Sequence, residues 1–332
     1  MEYTTFPNHP LSVSKIILGT MMFGDKCDYP TSEVIINHAI ELGINSFDTA
    51  SMYAGGTSEE FVGKALQSVP REKIFVATKV VKGTDQSSII ASIDESLARM
   101  KMDYVDLYMI HWPVIGMNLE DMMKGLNQVV LSGKARLVGC CNFPAYIFAA
   151  SNAVAAEHGW AKLVCHQVAY NLFERGIEVE ILPQAKLEEI ALTAYRPLAV
   201  GLLTGKFLPG MPMDAATRGA ADSRVITWLT EHGRAIENFV NYAREINTEP
   251  AKLAIAWILH NPAVTSAILG VSSVKHIDAA AGMTDIQLTD LEYQKITDFF
   301  NTDVKEEGGQ LFPGLKYNFP RLRRKLSIAV KK

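Results

Sequence analysis

The sequence predicts an α/β fold, a single (β/α)8 TIM barrel. Three observations predict it. Apolar runs and helix-like segments alternate eight times along 332 residues, as serial βαβ units require. The runs are rich in Val, Ile and Phe, the composition of parallel strands buried on both faces. No Pro/Gly/Ser-rich linker divides the chain, so residues 1–332 read as one domain, a size that α/β barrels reach as one unit.

The elements follow in order. Residues 3–11 contain Asn8-His9-Pro10 and read as a short turn closing the barrel's bottom. Strands are expected at residues 14–18, 44–48, 73–79, 106–111, 135–140, 163–168, 189–195 and 264–269. Between them, Ile89-Ile90-x-x-Ile93-x-x-x-Leu97 repeats apolar residues at helical spacing. Ser58-Glu59-Glu60 reads as a capping hydroxyl before two carboxylates, and Thr248-Glu249-Pro250 puts Pro in a first turn. Leu131-Ser132-Gly133-Lys134 supplies a glycine stop. Two stretches exceed the repeat: a long loop over 207–247 after the seventh strand, and the tail 301–332, expected near the barrel mouth. Excursions of that length commonly cover functional sites.

Composition excludes several classes. With 48% hydrophobic and 20% charged residues, the chain has the make-up of a soluble globular protein with a large core. A net charge of −4 argues against nucleic-acid binding. No uncharged apolar stretch reaches the roughly 18 residues of a membrane span. Met1-Glu2-Tyr3-Thr4-Thr5 lacks the basic and apolar regions of a leader, so a cytoplasmic location is expected. The four cysteines, Cys27, Cys140, Cys141 and Cys165, form no Cys-x-x-Cys pair. Buried thiols are expected rather than a disulfide framework or a metal site. Cys140 and Cys141 should face opposite sides of a strand. The sequence leaves the oligomeric state open.

Three expected strands finish on an ionisable group, at Asp48, Lys79 and His111, and Tyr53 follows the first by five residues. In a parallel barrel these strand ends are where chemistry belongs. Together the four residues suit protonation of a carbonyl oxygen while hydride reaches its carbon. Tyr53 is a weak acid, since a tyrosine in water ionises near pH 10. Lys79 beside it would favour the tyrosinate, Asp48 would orient Lys79, and His111 would hydrogen-bond the substrate oxygen. Singly, each has a bland reading as a turn, cap or solvated residue.

The chain resembles the aldo-keto reductase family through nearly all its length. Gly43-Ile44-Asn45-Ser46-Phe47-Asp48-Thr49-Ala50, Tyr53 with Ser58-Glu59-Glu60-x-x-Gly63-Lys64-Ala65-Leu66, Asp103-Tyr104-Val105-Asp106-Leu107-Tyr108-x-x-His111, Ser132-Gly133-Lys134 and Gln167-Val168-Ala169-Tyr170-Asn171 carry the resemblance. It points to the longer-chain branch that includes bacterial reductases and potassium-channel β subunits. The resemblance implies NADPH, with NADH possible, extended across the barrel mouth without a Rossmann fold. It assigns the nicotinamide end to Thr20, Met21, Asp48, Cys141, Asn142 and Gln167, with Tyr195 stacked on the ring. Arg196, Pro197, Leu198 and Lys206 would lie along the pyrophosphate, Ser223-Arg224 would reach a phosphate, and Gly270 and Ser272 would hold the adenosine phosphate.

Three departures stand out. Cys141-Asn142 replaces the family's Ser-Asn, and a thiol is a weaker donor than a hydroxyl. Arg196 replaces a serine, and would meet the pyrophosphate or point to solvent. Ala279 and Ala280 stand where the family has a Glu-Asn pair gripping the adenine. Nearby Lys275 and His276 suit a ribose 2′-phosphate, which places NADPH before NADH. Met22, Phe23, Met52 and Trp112 are the expected pocket wall, with Phe207 and the tail aromatics Phe312, Tyr317 and Phe319 able to close it. The tail's Arg321-x-Arg323-Arg324-Lys325 reads as a solvated basic face. The leading function is reversible NADPH-dependent reduction of an aldehyde, ketone or keto-sugar. The alternatives are a nicotinamide-binding regulatory subunit of the channel-β type, or a redox-neutral sugar-converting enzyme that retains its cofactor.

Overall fold

A computed structural model gives the fold and describes residues 1–212, 219–220, 222–279 and 282–301. The chain opens with an antiparallel hairpin, β1 (Tyr3–Thr5) and β2 (Ser12–Ser14). Eight parallel strands follow: β3 (Ile16–Gly19), β4 (Ser46–Asp48), β5 (Phe75–Val80), β6 (Val105–Ile110), β7 (Ala135–Cys141), β8 (Leu163–Ala169), β9 (Ala191–Tyr195) and β10 (Ser266–Gly270). They close in sequence order, with β10 returning to β3 so that Ala267 faces Ile16 and Gly270 faces Gly19. Each strand lies within two residues of its expected bounds.

Strand alternation builds two cores. Phe75, Ala77, Leu107, Met109, Leu137, Cys141, Cys165 and Ala191 fill the barrel interior. Val76, Tyr108, Val138 and Cys140 face the surrounding helices instead. Cys140 and Cys141 therefore do face opposite sides, and all four thiols are buried and unbridged. The bottom closure is more than the expected turn. The hairpin sends Phe6 and Val13 into the interior core, and the Phe6 ring sits 4.8 Å from that of Phe75. His9 Nε2 meets Asp106 Oδ1 at 3.2 Å, and Arg71 Nη2 donates to Asp106 Oδ2 at 2.6 Å. That end is plugged, which leaves the C-terminal strand ends for chemistry.

The outer layer comprises α1 (Tyr29–Glu41), α2 (Thr57–Leu66), α3 (Gln86–Met100), α4 (Leu119–Leu131), α5 (Ala145–His158), α6 (Ile181–Leu187), α7 (Ser223–Glu245), α8 (Pro250–His260), α9 (Val274–Asp278) and α10 (Asp290–Asn301). The glycine stop after α4 is present, with Gly133 at φ 75°. Pro250 opens α8 as expected. The long loop over 207–247 is corrected: 23 of its residues form α7, kinked at His232. Its Val225, Trp228, Ala235, Ile236, Phe239 and Val240 recur at helical spacing and pack into the core, a pattern that overrides the loop reading. The tail beyond residue 301, with its aromatic and basic residues, lies outside the described residues.

Gly63 marks a close approach of α2 to α3. A Cβ there would overlap the Met100 carbonyl, which is backbone and cannot swing away. Gly63→Ala is expected to destabilise the protein by about 1–3 kcal/mol or more, read as a lower urea midpoint at an unchanged slope.

Candidate active site

Three strand ends and one loop residue converge at the open mouth. Asp48 closes β4, Lys79 is next to last in β5, and His111 follows β6. Tyr53 opens a single 3-10 turn, Tyr53–Gly56, in which Ala54, Gly55 and Gly56 have φ of 47°, 66° and 102°. This left-handed run folds the chain back sharply and brings the phenol over Lys79. Lys79 is wholly buried, and its ammonium uses all three protons: on Asp48 Oδ2 at 2.7 Å, on the Thr49 carbonyl at 2.7 Å, and on Tyr53 Oη at 3.3 Å. The second Asp48 oxygen accepts from Gln167 Nε2 at 2.9 Å. The His111 ring stands edge-on to Tyr53 with centroids 5.9 Å apart, and Trp112 lies parallel to it with centroids 6.2 Å apart.

The surrounding loops are tied by groups that sequence reading assigned elsewhere. Ser58 is not the cap of α2; Gly56 holds that position without a side-chain bond. Ser58 Oγ donates to the Thr20 carbonyl at 2.9 Å and lies 3.0 Å from Thr49 Oγ1, joining the first two strand–helix loops. Glu59 is buried and accepts from Thr78 Oγ1 and Arg99 Nε, each at 2.6 Å. The Ser-Glu pair is visible in sequence, but local capping explains it equally well, and only the packed loops distinguish the two roles.

Burial and charge set the protonation states. Burial, aided by Lys79, pushes His111 down to about 3, so its imidazole is neutral at pH 7. Burial raises the Tyr53 pKa, and Lys79 opposes it. The expected influence of Lys79 is present but outweighed, so Tyr53 carries its proton at neutral pH. Burial alone would lower Lys79, but Asp48 and Tyr53 together hold it above the ordinary lysine value. His166, sealed behind β8 against Phe148, is likewise pushed by burial down to about 3. Both histidines stay neutral in the fold while the unfolded chain binds protons below about pH 6.5. Stability should thus be unaffected above that pH and decline as pH falls toward 3, by roughly 1.4 kcal/mol per unit per histidine. Urea midpoints at pH 7 and 4.5 measure it, and His166→Phe should flatten the slope.

Most of the residues expected at a dinucleotide lie at the C-terminal ends of β7, β8, β9 and β10 or just beyond them. Asn142, in a left-handed conformation at φ 61°, accepts from Tyr195 Oη at 2.8 Å and donates to the His111 carbonyl at 3.2 Å. Tyr195 is half-buried at the end of β9. Thr20 is fully buried, its hydroxyl 3.0 Å from the Asp48 carbonyl, so it supports the site from beneath, while Met21 is exposed. The Cys141 thiol turns into the barrel toward Met109 Sδ at 3.8 Å, and burial raises its pKa well above normal. Arg196 goes neither to solvent nor to an open phosphate seat. Its guanidinium binds Glu174 at 2.6 Å, with Asn171 Nδ2 on the other Glu174 oxygen at 2.8 Å. Arg224 is similarly engaged, making two bonds to Asp222 at 2.9 and 2.5 Å. Pro197 is buried and Leu198 half-buried in the following turn, where Lys206 folds back over Gly201. Gly270 is exposed at the end of β10. Ser272 N donates to His276 Nδ1 at 3.4 Å.

A concentration of positive charge supports the anionic-ligand expectation. Burial, then Lys206 and Lys275, lower the His276 pKa, which places the three groups together. Among the described residues, no carboxylate pairs with Lys206 or Lys275, and Arg196 Nε is buried without a partner. The donor set fits the phosphates of a dinucleotide. Ala279 is half-buried against the core, and Ala280 lies outside the described residues. On the substrate side Met52 and Trp112 are exposed at 52% and 44%. Met22 and Phe23 are corrected: both pack in the core, because the loop curls so that the Met22 carbonyl accepts three amides, from Asp25, Lys26 and Cys27. Among the described residues no cluster of three or more His, Cys, Asp or Glu could hold a metal, and no helix is long and apolar enough to cross a membrane.

The chain is similar to known proteins over most of its length. It is 31% identical over 319 residues to the uncharacterized oxidoreductase YrpG of Bacillus subtilis (strain 168), spanning 90% of this chain and 96% of that one. It is 29% identical over 286 residues to a putative voltage-gated potassium channel subunit beta of Schizosaccharomyces pombe, spanning 80% of this chain and 83% of the relative. The solved structure of the glycerol dehydrogenase AKR11B4 from Gluconobacter oxydans superposes with a TM-score of 0.80 at 26% identity, covering 94% of this chain and 98% of that one. The family model described as the aldo/keto reductase family matches residues 15–300. With a closed parallel barrel and that match across nearly its whole length, the chain belongs to the aldo/keto reductase family.

Proposed function

We propose that this protein reduces aldehyde, ketone or keto-sugar carbonyls to alcohols with a nicotinamide dinucleotide, reversibly, and that Tyr53 supplies the proton. The observation that carries the reading is the saturated Lys79 ammonium, which joins Asp48 to the Tyr53 hydroxyl in a dry site. The bound nicotinamide supplies hydride. Tyr53 meets the oxygen on which negative charge develops, and Lys79 stabilises the tyrosinate left behind. Asp48 balances the lysine charge. His111, neutral, offers a hydrogen bond to the carbonyl without adding charge. Trp112 and Met52 give the substrate an apolar bed.

NADPH is favoured over NADH. Lys206 and Lys275 present two cations near Ser272, where a ribose 2′-phosphate would lie, and His276 contributes there as a neutral hydrogen-bonding ring. Equal affinities for the two dinucleotides in a fluorescence titration would remove that role. The channel-β reading is less well supported, because His111 is retained beside Tyr53. A screen of NADPH consumption over aldehydes, keto sugars and quinones tests the whole reading. Tight NADPH binding with no carbonyl reduced would overturn it in favour of a binding subunit.

The Arg196–Glu174 pair makes a further prediction. In the structure Glu174 occupies the guanidinium that a pyrophosphate would use. A ligand that must displace an internal partner binds with lowered apparent affinity. Glu174→Gln keeps the Asn171 contact and removes the charge, so NADPH should bind several-fold tighter, on the order of 3–10-fold. Stopped-flow fluorescence and equilibrium titration measure it.

A further inference from the structure

We propose that Gln167 is a positioning residue for the acid, linking the nicotinamide end of the site to Tyr53 through Asp48 and Lys79; the assignment rests on the reductase reading above. Gln167 stands in β8, across the barrel from β4 and β5, and its side chain is buried. A carboxylate only accepts hydrogen bonds. The Gln167 amide must therefore turn its NH2 toward Asp48, as the 2.9 Å contact shows. Its Oε1 makes no hydrogen bond among the described residues and is not sealed from solvent. One face of the amide is thus committed to the catalytic pair, while the other is open to a cofactor carboxamide.

The contacts form a continuous relay. Gln167 Nε2 donates to Asp48 Oδ1 at 2.9 Å; Lys79 Nζ donates to Asp48 Oδ2 at 2.7 Å and to Tyr53 Oη at 3.3 Å. Gln167 fixes the plane of the carboxylate so that only Oδ2 faces the ammonium. The third lysine proton then stays on Tyr53. Without Gln167 both Asp48 oxygens compete for Lys79, and the unscreened carboxylate turns its charge on the phenol. Both changes disfavour the tyrosinate. In the other direction, a donor arriving at Oε1 polarises the amide and strengthens its bond to Asp48. Cofactor in place thereby improves the support of the acid.

The titratable groups around Tyr53 are Lys79, Asp48, Cys141, His111 and Tyr195. Among the described residues, Gln167 is the neutral side chain bonded to the Asp48 carboxylate. The test uses cofactor-free full-length protein with labelled tyrosine rings, the Tyr53 Cζ resonance being assigned with Tyr53→Phe. In Gln167→Leu the Tyr53 titration should move to higher pH, and NADPH affinity should fall roughly tenfold. Gln167→Glu is ionised at the alkaline pH where Tyr53 titrates and sets a second carboxylate beside Asp48, so its Tyr53 titration should move to higher pH at least as far as that of Gln167→Leu. If NADPH affinity falls while the Tyr53 titration stays fixed in both variants, Gln167 is a cofactor ligand only and the proposal fails. If the titration moves as expected but no carbonyl is turned over, the relay stands and the reductase reading fails. Gln167→Met provides the same comparison should Gln167→Leu not fold.

Discussion

Tyr53→Phe should lower kcat on the best carbonyl substrate by about 10²–10⁴-fold, the usual contribution of a positioned general acid. The substitution removes one oxygen and leaves the ring. The ring's edge-on contact with His111 and its cation–π approach to Lys79, 4.9 Å from Nζ to the centroid, are retained. NADPH affinity should consequently stay within about twofold, since a group that acts only in the transition state leaves ground-state binding alone. Single-turnover absorbance at saturating NADPH separates the two quantities. A variant as fast as the parent would remove Tyr53 from the role of acid. The pH profile adds a second check. The Tyr53 pKa is raised, so the protonated acid persists through neutral pH and the rate should fall only as alkaline pH ionises it.

Lys79→Met should produce the largest combined effect. It abolishes the same activity, because nothing then stabilises the tyrosinate, and it also strands Asp48. That carboxylate is 3% exposed and would keep only Gln167. Breaking a buried pair by removing one partner typically costs about 3–5 kcal/mol. The Thr49 carbonyl also loses its donor. The pair's contribution has a definite pH range. Lys79 has a raised pKa in the fold, so its stabilisation is complete below the unfolded value near 10.4 and is lost only as pH rises through the folded one. Urea melts of Lys79→Met at pH 7 should show the full loss. Asp48→Asn with Lys79→Met should recover part of it, because the buried charge is then gone; failure to recover would place the cost in packing.

Much of this architecture is legible from the chain. Eight Val/Ile-rich runs can bury both faces only in a parallel sheet wrapped in helices, and their spacing closes the barrel. Asp48, Lys79 and His111 stand out because a strand end fixes direction and position together. The failures share a cause. Ser58 before two carboxylates is compatible with a cap and with a cross-loop tie; the α7 helix hides inside a stretch too long for the repeat. Met22 and Phe23 resemble pocket residues because their loop follows β3, but the curl at the Met22 carbonyl turns them inward. Arg196 has no sequence partner within reach, and its acid, Glu174, comes from the loop after β8.

The sequence by itself determined the barrel and which strand ends carry ionisable groups, since strand periodicity and burial are local properties of a chain. It also determined that Cys140 and Cys141 part to opposite faces. Tertiary structure alone decided which charges meet. Lys79 spends its protons on groups 26 to 31 residues away, and Gln167 reaches Asp48 across 119 residues. Closing the barrel sets those distances and removes the water. That burial makes His111 neutral and keeps the proton on Tyr53, while Asp48 holds the buried Lys79 charged beside it.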